Sequence, residues 1–376
     1  MSAPLRLARR NLVANRGRMA ASAGGVALAF TLVLALDAVL LGVTNQLTRY
    51  IDDSGADVFV AQNGVRNLHM VVSALPADTV DRVAAVDGVE EATPLLYVTG
   101  TVSAAGEDAV AYIFGIPADA TMGRPVRLAD GTGDLGPDEA IIDARAAGRL
   151  GVGLGDRVTI LGRSFGVSGL SEGTSNLVNS IAFVRLEDFA AVRGMGGVVS
   201  YVLVRVERGA DATAVASRIE RLVPETTVLT RAAFAAEERR LVMDMSGDVI
   251  VTMDVIGFVV GLTVVALTVH IATLSRRREF GILKAIGASN RFISLVVVDG
   301  AALSVALGLL TAIALTAALV VVVPLTGADL GLAIGLDSVA KVLGFGALIA
   351  LAAALLPIRQ IAGLDPATVF RRGGPR

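Results

Sequence analysis

The sequence predicts an α-helical membrane protein with four transmembrane helices and an extracytoplasmic α+β domain on helical stalks. Three observations predict it. Hydrophobic residues make up 54% and charged residues only 18% of 376, against ~45–50% and ~25% in soluble proteins. The apolar residues gather into four long runs. The charges are segregated, with basic residues concentrated in three short pieces and an acidic excess elsewhere.

Crossing ~30 Å of hydrocarbon takes ~20 apolar residues. The first run, residues 19–43, carries only Asp37 near its far end. The second, 248–274, begins at Asp248 and within its apolar run from about Val249 carries only Asp254 and His270. The third, 292–325, carries Asp299, and the fourth, 339–358, carries Lys341 where it can snorkel. Five arginines precede the first run, as in a signal peptide. The run is longer than the ~7–15 residues of a signal h-region, so it reads as a retained anchor.

Residues 1–18, 275–291 and 359–376 together carry 14 Lys or Arg and 2 Asp or Glu, a net of +12. The whole chain is −2, so the remainder sums to −14. The positive-inside rule places both termini and the 275–291 loop in the cytoplasm. Residues 44–247 and the short loop 326–338 then face outward. The expected address is the cell (cytoplasmic or inner) membrane, multi-pass.

The 44–247 segment reads as α+β. Strands are expected at 57–61, 93–102, 109–116, 140–143, 157–161, 165–170, 180–184 and 200–206, between Gly-, Pro- and Asp-containing turns. Helices are expected at 76–86, 145–150, 186–192 and 211–222. The stretches starting at Asp78 and Asp211 both read helix, turn, strand, a weak pseudo-repeat. Gly151, Gly153 and Gly155 follow a helical segment and precede a strand, so they mark a turn rather than a dinucleotide fingerprint. Residues 231–274 form a stalk if helical throughout, with Gly247 as the place for a break. The first span extends likewise through Gln46 to about Ile51.

Composition excludes several chemistries. The chain has no cysteine, two histidines (His69 and His270), no tryptophan and 4% aromatics. Disulfide scaffolds, Cys-ligated zinc, iron–sulfur clusters and thiol nucleophiles are out, and little remains for stacking nucleic-acid bases. No GxxxxGK[ST] occurs, so ATP and Mg have no P-loop here. No HExxH occurs to mark a membrane enzyme.

The informative stretch is RRREFGILKAIGASNRFISLVVVDGAAL, residues 276–303. Three arginines follow a span. A short amphipathic helix comes next, with Phe280, Leu283 and Ile286 toward the bilayer and Glu279 and Lys284 toward water. Gly287 reads as a C-terminal stop and Asn290 as the cap of the next helix. Taken physically, the stretch is also compatible with a plain positive-inside loop. His270 and Asp299 fall at similar depth, either as a contact that transmits movement or as two unrelated polar groups.

This stretch resembles the signature of the FtsX-like, or MacB-like, family of ABC transporter permeases at Arg277, Arg278, Glu279, Gly281, Ile282, Leu283, Lys284, Ala285, Gly287 and Ala288. RLARRNLVANRGRMAAS resembles that family's amphipathic N-terminal helix, PIRQIAGLDPATVFR its C-terminal ending, and the segment with GRLGVGLGDRVTILG its MacB-like periplasmic core domain. Asp299 departs from the Glu or Gln expected there. The resemblance implies a non-enzymatic permease subunit, homo- or heterodimeric, working with separate ABC ATPase subunits that bind the ATP and Mg. It implies no catalytic, cofactor or metal residue on this chain and no nucleic-acid partner. The 279–287 helix would be the coupling helix, with the motif residues from Arg277 to Ala288 meeting the ATPase. ATP hydrolysis would then move stalks and outer domain, by mechanotransmission, to export a substrate. The rival is an FtsX-like regulator acting on an extracytoplasmic partner such as a cell-wall hydrolase.

Overall fold

The computed structural model describes residues 16–69, 71–175, 179–326 and 331–362. Most of the expected N-terminal helix, the tail beyond 362 and part of the 326–338 loop lie outside them. The chain divides into two compact units, residues 43–245 and the long helices flanking them.

The helical unit is built from α1 (Arg16–Asp53) as far as Gly42, α6 (Arg231–Ser275) from Ser246 onward, α7 (Arg277–Ala285), α8 (Asn290–Leu325) and α9 (Leu336–Ala362). Four of these, all but α7, are long and apolar enough to cross a membrane. Their outward side chains are apolar: Val255, Val259 and Leu267 on α6, Leu310 and Val321 on α8, and Leu351 on α9 are all exposed. Water would penalise that surface and lipid does not. Inward, Phe30, Val265, Ile293, Val305 and Ile349 form one cluster. Two glycines set the helix spacing. A Cβ at Gly308 on α8 would sit 2.6 Å from the Val26 Cβ of α1, and one at Gly257 on α6 would run into Val33. Small residues at such points let helix backbones approach in the absence of a hydrophobic drive. Helix α6 is continuous for 45 residues, ~68 Å at ~1.5 Å each, and Gly247 does not break it. Helix α1 runs two residues past Ile51.

The α+β unit contains β1 (Val58–Gln62), β2 (Leu75–Pro76), α2 (Thr79–Ala84), β3 (Val89–Ala104), β4 (Glu107–Ile116), β5 (Leu128–Gly131) and β6 (Glu139–Asp143). Next come α3 (Ala144–Leu150), β7 (Arg157–Ile160), β8 (Arg163–Ser171), β9 (Ser180–Arg185), α4 (Leu186–Arg193), β10 (Val198–Val199), β11 (Tyr201–Val206), α5 (Ala212–Leu222) and β12 (Thr226–Thr230). The sheet order is β12-β1-β11-β3-β4-β9-β6-β8-β5, with β7 bridging β3 and β8.

The 16-residue β3 organises this sheet. Its first half pairs with β11 and its second with β4 and β7. Through β9, β6 and β8 the pairing returns to β7, closing six strands on themselves and removing exposed edges. The closed half buries Ile113, Ile142, Phe165 and Val184. The open half buries Val60, Val83, Val204 and Ile219 beneath α2 and α5. Both segments of the pseudo-repeat fold as helix, turn and strand, α2–β3 and α5–β12. Asp143 caps α3 by accepting from Arg145 N and Ala146 N, and Gly151 ends it at φ 68°, so the glycine cluster is a turn. An aromatic cluster of Tyr50, Phe59, Phe114, Phe183, Tyr201 and Phe234 fills the third core.

Candidate functional site

Helix α6 stops at Ser275 and α7 starts at Arg277, with Arg276 between them at φ −113°. Nine residues later the chain turns again. Gly287 N donates to Lys284 O at 3.0 Å, and Ala288 N to Leu283 O at 2.9 Å. That pair of bonds closes a helix with a left-handed residue just beyond its end. Gly287 provides it at φ +96°. The cap of α8 is Ser289, whose Oγ accepts from Phe292 N at 3.2 Å, and not Asn290. Ser289 has the extended backbone a cap needs, while Asn290 is already helical.

The faces of α7 also differ from expectation. Phe280 is 4% exposed and packs with the span cluster, and Leu283 lies partly buried against it, so neither is turned to lipid. Gly281 is buried as well. The open face carries Arg278, Glu279, Ile282, Ala285 and Ile286, spaced three and four apart as one helical stripe. Ile286 is 75% exposed. The short helix therefore turns its own aromatic inward and presents two isoleucines beside a carboxylate and a guanidinium. Lys284 and Ala288 flank that stripe, half-buried.

The intramembrane polar residues sort differently from their sequence reading. Lys341 does not snorkel. Its Nζ donates to Asp37 Oδ1 at 2.9 Å and to Asp254 Oδ1 and Oδ2 at 3.1 and 2.9 Å. One ammonium from α9 thus holds carboxylates from α1 and α6. The three side chains keep 27%, 8% and 17% of their surface. Depth explains the meeting. Lys341 lies five residues into α9 and Asp254 seven beyond Gly247, ~8 and ~10 Å along helices at ~1.5 Å per residue. Charges in hydrocarbon pair when they can. No sequence signal pointed to the trio, because it depends on which helices are neighbours.

His270 and Asp299 are each half-buried, and no hydrogen bond or ion pair joins them among the described residues. A double-mutant cycle of His270→Ala and Asp299→Ala on thermal stability is therefore expected to be additive, within ~0.5 kcal/mol. A larger coupling would mean that they meet in another state.

Six hydroxyls in two of the long helices are satisfied internally, while the buried Thr31 and Thr316 hydroxyls have no hydrogen-bond partner among the described residues. Thr252, Thr263, Thr268 and Thr273 on α6 and Ser304 and Thr311 on α8 each donate to the carbonyl four residues earlier.

The chain matches two family models: a MacB-like periplasmic core domain over residues 19–222 and an FtsX-like permease C-terminal region over 252–366. An uncharacterized ABC transporter permease of Mycobacterium bovis is 25% identical over 355 residues, covering 92% of this chain and 93% of its own. Another from Mycobacterium tuberculosis is 26% identical over 270 residues, covering 70% and 72%. Among solved structures, the periplasmic region of MacB from Actinobacillus actinomycetemcomitans aligns at 14% identity and TM-score 0.39, over 50% of this chain and 94% of that one. The extracellular domain of the noncanonic ABC-type transporter YknZ from Gram-positive bacteria aligns at 17% identity and TM-score 0.37, over 46% and 98%.

Proposed function

From a chain that belongs to the ABC transporter permeases of the MacB/FtsX type, a multi-pass membrane protein with a MacB-like α+β domain, we propose a permease subunit for export. Separate ATPase subunits bind and hydrolyse ATP on the cytoplasmic side, and their motion enters this chain through α7. The observation that carries the reading is the exposed stripe of α7, a short helix between two spans with its aromatic turned inward. It is a built docking face, whereas a plain connecting loop needs none.

Movement, rather than a pore, is the better use of these spans. Six of their hydroxyls are spent on their own backbones, the Thr31 and Thr316 hydroxyls are buried among the helices, and the charged trio is closed on itself. None of these leaves a polar lining for an aqueous path. The helices α1 and α6 run on beyond the apolar runs, so a shift at one end is passed along a continuous hydrogen-bonded rod. A second permease subunit, identical or related, completes the assembly. Purification of the tagged chain from its own membranes with mass-spectrometric identification is expected to recover an ATPase subunit and a permease partner. Recovery of neither would remove the reading. Substrate accumulation in a deletion strain would separate export from regulation of an extracytoplasmic partner.

Orientation has its own test. Asp130→Cys and Ser289→Cys both create exposed thiols in a chain with no other cysteine. An impermeant maleimide added to intact cells from outside is expected to label the first and spare the second. The reverse pattern would invert the topology.

A further inference from the structure

We propose that the α+β unit carries a binding pocket for an anion with an apolar or aromatic body, its head held between the guanidiniums of Arg49 and Arg127. The pocket is an open cleft of about 580 Å3 when its solvent-filled mouth is counted. Arg49 comes from the end of α1 and Arg127 from the segment before β5.

Both guanidiniums converge on Gly173. A Cβ built there would lie 3.0 Å from Arg49 Nη1 and 3.2 Å from Arg127 Nη2, so these nitrogens stand within about 6 Å of each other, the sum of the two reaches. An oxyanion accepting a ~2.8 Å charge-assisted bond from each would span that gap. The protein supplies little to offset the repulsion. The Arg49 head donates to Gly173 O at 3.3 Å. Neither arginine has an ion pair among the described residues. Asp53 and Glu172 also line the cleft, both exposed and both beyond ion-pair distance of the two heads. The third arginine there, Arg124, is committed to Ala120 O, Gly133 O and Asp134.

The walls are fixed independently of any ligand. Asp143, 1% exposed, accepts from Thr174 N at 3.2 Å and Thr174 Oγ1 at 2.9 Å, which fixes the chain beside Gly173. Glu172 N donates to Arg127 O at 3.0 Å, and Gly123 N to Ser54 O at 2.7 Å. The floor is Tyr50, Tyr112 and Phe183, with His69 against Tyr112 at 4.3 Å between ring centroids. His69 itself is held by Glu238, 2.6 Å from Nδ1. Burial raises the Tyr112 phenol above its ordinary value, so that ring remains neutral. Two facing cations over an aromatic floor recognise a negative head followed by a flat or apolar body.

The test uses the full chain in phosphatidylcholine nanodiscs with 4-(trifluoromethyl)benzoate, read by fluorine NMR, and the neutral 4-(trifluoromethyl)benzamide for comparison. The benzoate is expected to bind saturably and at least ~10-fold tighter than the amide, since only it takes charge-assisted bonds. Arg127→Gln and Arg49→Gln are each expected to weaken it at least ~10-fold without moving the melting temperature, while Arg157→Gln, outside the cleft, leaves it unchanged. Equal binding of the amide, no saturable benzoate binding, or unchanged binding in both cleft variants would overturn the proposal. Competition by added phosphatidylglycerol would assign the natural head to a lipid, and its absence to a soluble anion.

Discussion

Lys341→Met is expected to destabilise the protein far more than either Asp37→Asn or Asp254→Asn. The reason is charge count. The trio holds two carboxylates on one ammonium, with Nζ 2.8 Å from Asp37 and 2.9 Å from Asp254. Removing either carboxylate leaves a neutral pair. Removing the ammonium leaves two carboxylates facing each other, largely out of water. Breaking a buried ion pair from one side costs ~3–5 kcal/mol, while replacing all members by neutral groups is often close to neutral. Lys341 keeps 27% of its surface, so the low end of that range applies. The triple variant Asp37→Asn, Asp254→Asn, Lys341→Met is therefore expected to melt above Lys341→Met alone. Thermal unfolding in one detergent, followed for all four variants, gives the order directly. An equal loss for Lys341→Met and Asp37→Asn, or a triple variant no better than Lys341→Met, would show that the charges do not act as a unit.

The same trio marks the limit of what sequence can reveal. The four runs were legible because hydrocarbon tolerates few charges, and that constraint acts on each run separately. Asp37, Asp254 and Lys341 were each visible as isolated charges for the same reason. Their meeting was not, because it depends on helix neighbours and depth, which arise only when Val33 seats on Gly257 and Val26 on Gly308. Strands β1, β4, β6 and β9 were legible from β-branched runs between turns. The two-residue strands β2 and β10, and the fully exposed β5, carry no such pattern. Of the two readings of residues 231–274, the continuous helix holds and Gly247 does not break it, because a single glycine costs a helix only ~1 kcal/mol. In the loop helix, Gly287 was legible because a left-handed stop favours glycine. Phe280 was misread because amphipathicity shows that a face exists, not whether lipid or protein covers it. Ser289 and Asn290 are adjacent capping residues, and only backbone geometry separates them.

That loop helix carries the second large effect. Ile286→Asp and Glu279→Ala are expected to uncouple the ATPase while leaving the permease folded. Ile286 is 75% exposed and the Glu279 side chain 65%, so neither change disturbs the packing beneath. If this stripe meets the ATPase, a charge at Ile286 buries an unpaired carboxylate in the interface. Loss of a central contact of that kind costs ~2 kcal/mol or more, a loss of ATPase affinity of about 30-fold by RT arithmetic. Lys284→Glu, at the edge of the stripe, is expected to act in the same direction more weakly. Gly281→Val acts by another route. Gly281 is buried next to Phe280, so valine there lifts the helix off its own spans, and both melting temperature and coupling are expected to fall. The two classes separate in one experiment, with melting measured beside substrate-linked ATPase activity in the reconstituted complex. Ile286→Asp coupled as well as wild type would place the ATPase contact elsewhere on the chain, whatever Gly281→Val does.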